Sequence, residues 1–98
     1  FTSDHGDMTG DHNLWRKSYA YESSARIPML VRWPSGLVAA ARGQRIAAPV
    51  ELRDVFPTFL DAAGASPRRS LDGASLLSLC RNPQAEWRSV LDLEHDIC

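Results

Sequence analysis

Phe1-Thr2-Ser3 reads as the end of a strand, and Asp4-His5-Gly6 as the point where that strand stops. Within a regular strand neighbouring side chains point to opposite faces, so an adjacent carboxylate and imidazole cannot grip one ion. They can where the backbone turns, and Gly6 accepts the angles that such a turn requires. In open α/β sheets ligands gather just beyond the carboxyl ends of the strands. In such a sheet, a strand that stops at Asp4 would present both groups to that crevice. Asp4 is then an oxygen donor and His5 a nitrogen donor to a single divalent cation. The same residues also make a metal-free polar turn, and the known short metal patterns do not separate the two. There is no His-Glu-x-x-His, and Asp4, Gly6 and Asp7 lack the late glutamate of a calcium loop.

The run to Lys17 keeps this polar character, with three aspartates, two histidines and two glycines. A lysine beside a cation-bound anion adds a compact positive charge and up to three donors, which suits a sulfate or phosphate oxygen. A solvated surface lysine is the plainer reading of that residue alone. His12 can reach the anion or hold the loop by a hydrogen bond, and Asp7 and Asp11 can brace a ligand or turn the chain. Leu14 and Trp15 are apolar in this setting and are expected to pin the loop to the body of the protein.

Beyond the loop, Tyr21 to Ala25 suits one helical turn, with Glu22 and Arg26 spaced for an ion pair. The apolar run Ile27–Trp33, closed by Pro28 and Pro34, reads as a buried strand. Ser35 to Gln44 is a loop and Arg45-Ile46-Ala47 a short strand. Leu52, Val55, Phe56, Phe59, Leu60 and Ala63 share one helical face. Pro57 is compatible with that helix if Asp54 is its N-cap, and Gly64 ends it. Ser75 to Cys80 suits a short helix and Trp87 to Leu93 a strand. Glu94-His95-Asp96 resembles a ligand cluster only on paper.

A formal charge of −1 over 98 residues leaves no basic footprint for nucleic acid, and no stretch is apolar enough to span a membrane. Cys80 and Cys98 are expected as free thiols, since two cysteines make no disulfide framework. The chain opens without methionine and is read as a piece of a longer one, so a leader sequence cannot be judged.

Phe-Thr-Ser-Asp-His-Gly-Asp, Gly10-Asp11-His12, Leu14-Trp15-Arg16-Lys17 and Tyr21-Glu22-Ser23-Ser24-Ala25-Arg26-Ile27-Pro28 together resemble the second conserved block of the type I sulfatases, within the alkaline-phosphatase-like superfamily. Glu51 to Gly64 and Leu71 to Leu76 continue the resemblance in order, so it covers most of the chain. It implies an α/β fold of the kind described above, with a partial sulfatase domain over residues 1–98, part of a mixed sheet flanked by helices. Residues 1–34 would be the metal- and sulfate-binding block, and 35–98 the helix and strand scaffold. It further implies Asp4 and His5 as metal ligands, Lys17 as a sulfate contact and His12 as a further catalytic candidate. The cofactor implied is one divalent cation, with calcium first. His5 stands where many sulfatases carry asparagine, which also admits manganese, iron or zinc. The implied reaction is hydrolysis of a small-molecule sulfate ester by a formylglycine nucleophile, with a phosphonate or phosphate ester hydrolase and a non-catalytic remnant as alternatives. Cys80 is not that nucleophile, because the pattern Cys-x-Pro-x-Arg is not met at Cys80-Arg81-Asn82-Pro83. The remaining metal ligands and the nucleophile would come from the remainder of the sulfatase chain.

Overall fold

The computed structural model describes residues 1–17, 19–39 and 42–94. The chain divides into two compact units, Phe1–Arg32 with Asp92–Cys98, and Trp33–Leu91. His95, Asp96 and Cys98, named above as a ligand cluster and a free thiol, lie outside the described residues.

In the first unit the expected strands contract to a single antiparallel bridge between Thr2 and Met29. Phe1 and Leu30 exchange both backbone hydrogen bonds, at 2.7 and 2.8 Å. No further strand pairing occurs among the described residues, so the mixed sheet does not form within them. Ile27–Trp33 is likewise not a buried strand here, since Leu30 and Val31 are exposed. The reason is one of partners. A strand apolar on both faces needs neighbours on its edges and layers above and below, and one two-residue pairing supplies neither.

The loop that follows is a hydrogen-bonded hairpin. Met8 N donates to Arg16 O and Gly10 N to Leu14 O, both at 2.8 Å, and the tip is a 3-10 turn over Asp11–Asn13. Met8 is fully buried and anchors this loop. Of the two expected pins, Leu14 is partly buried, but Trp15 faces solvent. Leu14 has extended backbone angles, so its neighbour points the opposite way. Helix α1, Glu22–Ala25, comes next, and the expected Glu22–Arg26 pair is made at 3.2 Å.

In the second unit a 3-10 turn over Leu52–Asp54 leads into α2, Val55–Ala62, and α3 spans Leu76–Arg81. Pro57 lies in the first turn of α2, as expected. Gly64, at φ 66°, ends it by donating to Asp61 O at 3.1 Å while Ala65 N reaches Leu60 O at 2.9 Å. Those two bonds close the last turn and satisfy carbonyls the helix would otherwise leave open. Ser75 caps α3, its hydroxyl accepting from Leu77 N. Leu76, Leu77, Leu79 and Cys80 of α3 are buried, and Leu77 and Cys80 form a core with Val38 against which Trp33 and Leu37 pack. Arg45–Ala47 and Trp87–Leu93 are not strands, and Val90 and Leu93 are exposed.

Asp54 stands at the first residue before α2 but does not cap it with its side chain. Its carboxylate instead accepts from Glu51 N and Ala74 N, each at 2.9 Å, and from both terminal nitrogens of Arg88, at 2.7 and 2.5 Å. Trp87 adds an indole bond to Pro49 O at 2.8 Å and a ring face 5.0 Å from the Arg88 guanidinium. Glycine is required at 73, because a Cβ there would lie 2.0 Å from Arg53 O.

Candidate functional site

The two residues expected to share an ion turn toward each other. His5 Nε2 lies 3.5 Å from Asp4 Oδ2, with both side chains open to solvent. His5 Nδ1 is 2.6 Å from Gly6 O. A carbonyl only accepts, so Nδ1 carries the hydrogen, and in the neutral ring the Nε2 lone pair faces the carboxylate. Backbone amides, its own and that of His5, hold the Asp4 carboxyl below its usual range, helped by the charges of His5 and Lys17. Asp4 is therefore ionised at neutral pH and available as a ligand.

Gly6 makes this turn possible by close approach. Its amide donates to Ser24 O at 2.8 Å, and a Cβ at 6 would sit 2.1 Å from Ser23 O. The loop bearing Asp4 and His5 is thus pressed directly onto α1.

The hairpin is fastened to the same helix. Ser23 Oγ donates to Asp11 Oδ2, a bond that also lowers the Asp11 pKa, and the His12 ring stacks on Tyr21 with centroids 4.1 Å apart. Thr9, His12, Asn13 and Arg16 all have positive φ, between 44° and 66°. Non-glycine residues hold that conformation only where surrounding contacts insist on it. Lys17 follows this strained run and is exposed. Its charge is felt at Asp4. Asp7 turns the chain, accepting from Thr9 N at 2.9 Å. The His12 ring stacks on Tyr21 and lies 4.0 Å from Asp11. Among the described residues no group of three or more His, Cys, Asp or Glu side chains converges as a metal site.

Tyr21, Ser23 and Ser24 stand in the sequence only as members of the helical turn at 21–25 and the block at 21–28, with no role of their own. A serine pair inside a helical turn carries no local signal, since its role depends on which distant backbone it meets.

Residues 10–95 match the family described as N-sulphoglucosamine sulphohydrolase, C-terminal. The chain belongs to this sulfatase family. Arylsulfatase of Clostridium perfringens is 43% identical over 95 residues, covering 97% of this chain and 20% of that protein. N-acetylglucosamine-6-O-sulfatase of Bacteroides thetaiotaomicron is 35% identical over 93 residues, covering 92% of this chain and 16% of that protein. A protein solved in complex with its substrate, D-glucosamine-2-N,6-O-disulfate, superposes with a TM-score of 0.76 at 36% identity, over 89% of this chain and 18% of that one. The chain therefore spans a fifth or less of the length of these relatives. Within that part, its fold is that of a sulfatase.

Proposed function

We propose that this chain supplies part of the active site of a sulfuric ester hydrolase, binding a divalent cation through Asp4 and His5 and the sulfate group through Lys17. The observation that supports this most directly is the convergence of Asp4 and His5 at 3.5 Å, in a sulfatase-family chain whose Lys17 also helps to lower the Asp4 pKa. A carboxylate oxygen and an imidazole nitrogen whose other ring nitrogen is tied to a carbonyl form a donor pair that fits a divalent metal. Calcium, which the wider family favours, takes mostly oxygen ligands, while the imidazole suits manganese, iron or zinc. When bound, such an ion would polarise the ester oxygens.

The residues of this chain have narrower duties. Asp4 presents a carboxylate that is ionised at neutral pH. His5 turns Nδ1 to the Gly6 carbonyl and Nε2 to Asp4, so that in the neutral ring Nε2 is the nitrogen free to bind a cation. Lys17 offers a fixed positive charge and donors for the sulfate oxygens, offsetting negative charge as it develops. His12 keeps the hairpin seated through Tyr21. The nucleophile, a formylglycine by the family pattern, and the remaining metal ligands lie outside these residues. The mixed sheet into which the bridge at Thr2 and Met29 would extend belongs to the same larger protein.

The names of the relatives suggest a small-molecule sulfate ester as substrate, with a sulfated amino sugar or an aryl sulfate as the two forms to try. The test is hydrolysis of 4-nitrophenyl sulfate, glucosamine 6-sulfate and a matched aryl phosphonate by the full gene product carrying this chain. Sulfate release from either sulfate ester, lowered on the order of a hundredfold in kcat/KM by Lys17→Met, is expected. Turnover of the phosphonate alone would move the assignment to a phosphonate ester hydrolase.

A further inference from the structure

Helix α1 lies at the junction of both halves of the proposed site, and one side chain on it joins them. Ser24 is 5% exposed. Its carbonyl accepts from Gly6 N at 2.8 Å, which seats the loop carrying Asp4 and His5. Its hydroxyl donates to Tyr19 O, with Tyr21 O as a second acceptor at 3.3 Å. That hydroxyl fixes the backbone two residues after Lys17, while the Met8–Arg16 bond fixes it one residue before. The backbone is thus anchored at Arg16 and again at Tyr19, on either side of Lys17, and the residue that makes the second anchor also carries the metal loop.

We propose that Ser24 is a positioning residue that sets Lys17 at its working distance from Asp4 and His5. This rests on the sulfatase reading and adds to it a residue that touches neither cation nor sulfate. The physical reason is economy of structure. A lysine side chain has four rotatable bonds, so its ammonium group is useful only if its backbone is fixed relative to the ligands it must complement. Ser24 does this through two groups of one residue, and the two can be separated by mutation, because Ser24→Ala removes the hydroxyl and leaves the carbonyl.

The full gene product is used, with inorganic sulfate as competitive inhibitor and Mn²⁺ alone as metal probe. Ser24→Ala is expected to raise the sulfate inhibition constant and lower kcat/KM by roughly ten- to a hundredfold. Mn²⁺ affinity by calorimetry stays within about twofold, since the Gly6–Ser24 backbone bond survives. Ser24→Thr, which keeps a hydroxyl, restores sulfate affinity. In a Lys17→Met background, Ser24→Ala costs no more than about another twofold, the signature of two residues acting through one group. Full additivity in that cycle, or an unchanged sulfate constant in Ser24→Ala, overturns the proposal. Ser24→Cys, nearly isosteric but a weaker donor, gives the same readouts should the alanine variant not be recovered folded. Lys17→Met alone reports on the sulfatase reading itself, and an unchanged sulfate constant there overturns both.

Discussion

Asp54 has no exposed surface, and its carboxylate accepts four hydrogen bonds, from Glu51 N, Ala74 N and both terminal nitrogens of Arg88. Burial pushes its pKa up, but the Arg88 guanidinium and the amides of Ala74 and Glu51 together outweigh that and hold it below the ordinary carboxylate value. Because the folded pKa lies below the unfolded one, the network's contribution is complete above about pH 4. It is lost as the pH falls through the folded value, since the unfolded chain takes up the proton first. Arg88→Ala leaves a buried unpaired carboxylate and is expected to cost about 3–5 kcal/mol, read by urea denaturation at pH 7. The same variant should lose less of its stability than wild type on acidification toward pH 3. At the other unit, Gly6→Ala places a methyl against Ser23 O and is expected to abolish sulfate hydrolysis. Circular dichroism would show whether the fold around it persists. Asp54 and Gly6 were both visible in the sequence, one as a cap and one as a turn residue. The partners that make them indispensable, Arg88 and Ser23, were not, because each is distant along the chain.

At the scale of elements, α2 buries only part of its apolar stripe, Val55 and Leu60 being partly buried. Thr58 in α2 and Asp54 in the turn before it are buried, while Leu52 of that turn and Phe56 and Phe59 of the helix are 40%, 58% and 67% exposed. The periodicity correctly marked a helix and an apolar stripe, but not the polar bonds that tie the helix to α3. Side-chain oxygens make that contact: Thr58 Oγ1 accepts from Leu76 N at 2.9 Å, and Ser75 Oγ donates to Asp61 Oδ2 at 2.6 Å. Both bonds complete the start of α3, whose first amides have no partner within the helix. Thr58→Val should therefore destabilise by about 1–3 kcal/mol despite preserving shape. Ser75→Ala should cost about 0.5–2 kcal/mol as a lost cap. Thermal unfolding of each variant against wild type checks both values.

For the whole molecule, the telling quantity is share of length. The chain covers 20% of the clostridial arylsulfatase and 18% of the solved sulfated-sugar complex, and two ligands do not hold a hard cation that usually takes six or more. Residues 1–98 expressed alone should release no sulfate from 4-nitrophenyl sulfate and bind Mn²⁺ or Ca²⁺ only weakly by calorimetry. In the full gene product a chelator should abolish turnover. Restoration by Mn²⁺ ahead of Ca²⁺ would mark His5 as a true nitrogen ligand, and the reverse order an oxygen-dominated site. No helix among the described residues is long and apolar enough to cross a membrane. What the sequence alone determined is local. The Glu22–Arg26 pair, Pro57 in a first turn, Gly64 as a stop and Ser75 at a helix start all follow from backbone angles and near-neighbour spacing, whereas glycine at 6 is demanded by the distant Ser23 O. Strand formation could not be settled that way, because Ile27–Trp33 and Trp87–Leu93 carry strand composition but strands exist only through pairing with distant segments. The same holds for Ser24 and Arg88: their roles arise from long-range contacts that burial creates, and burial is a property of the folded chain.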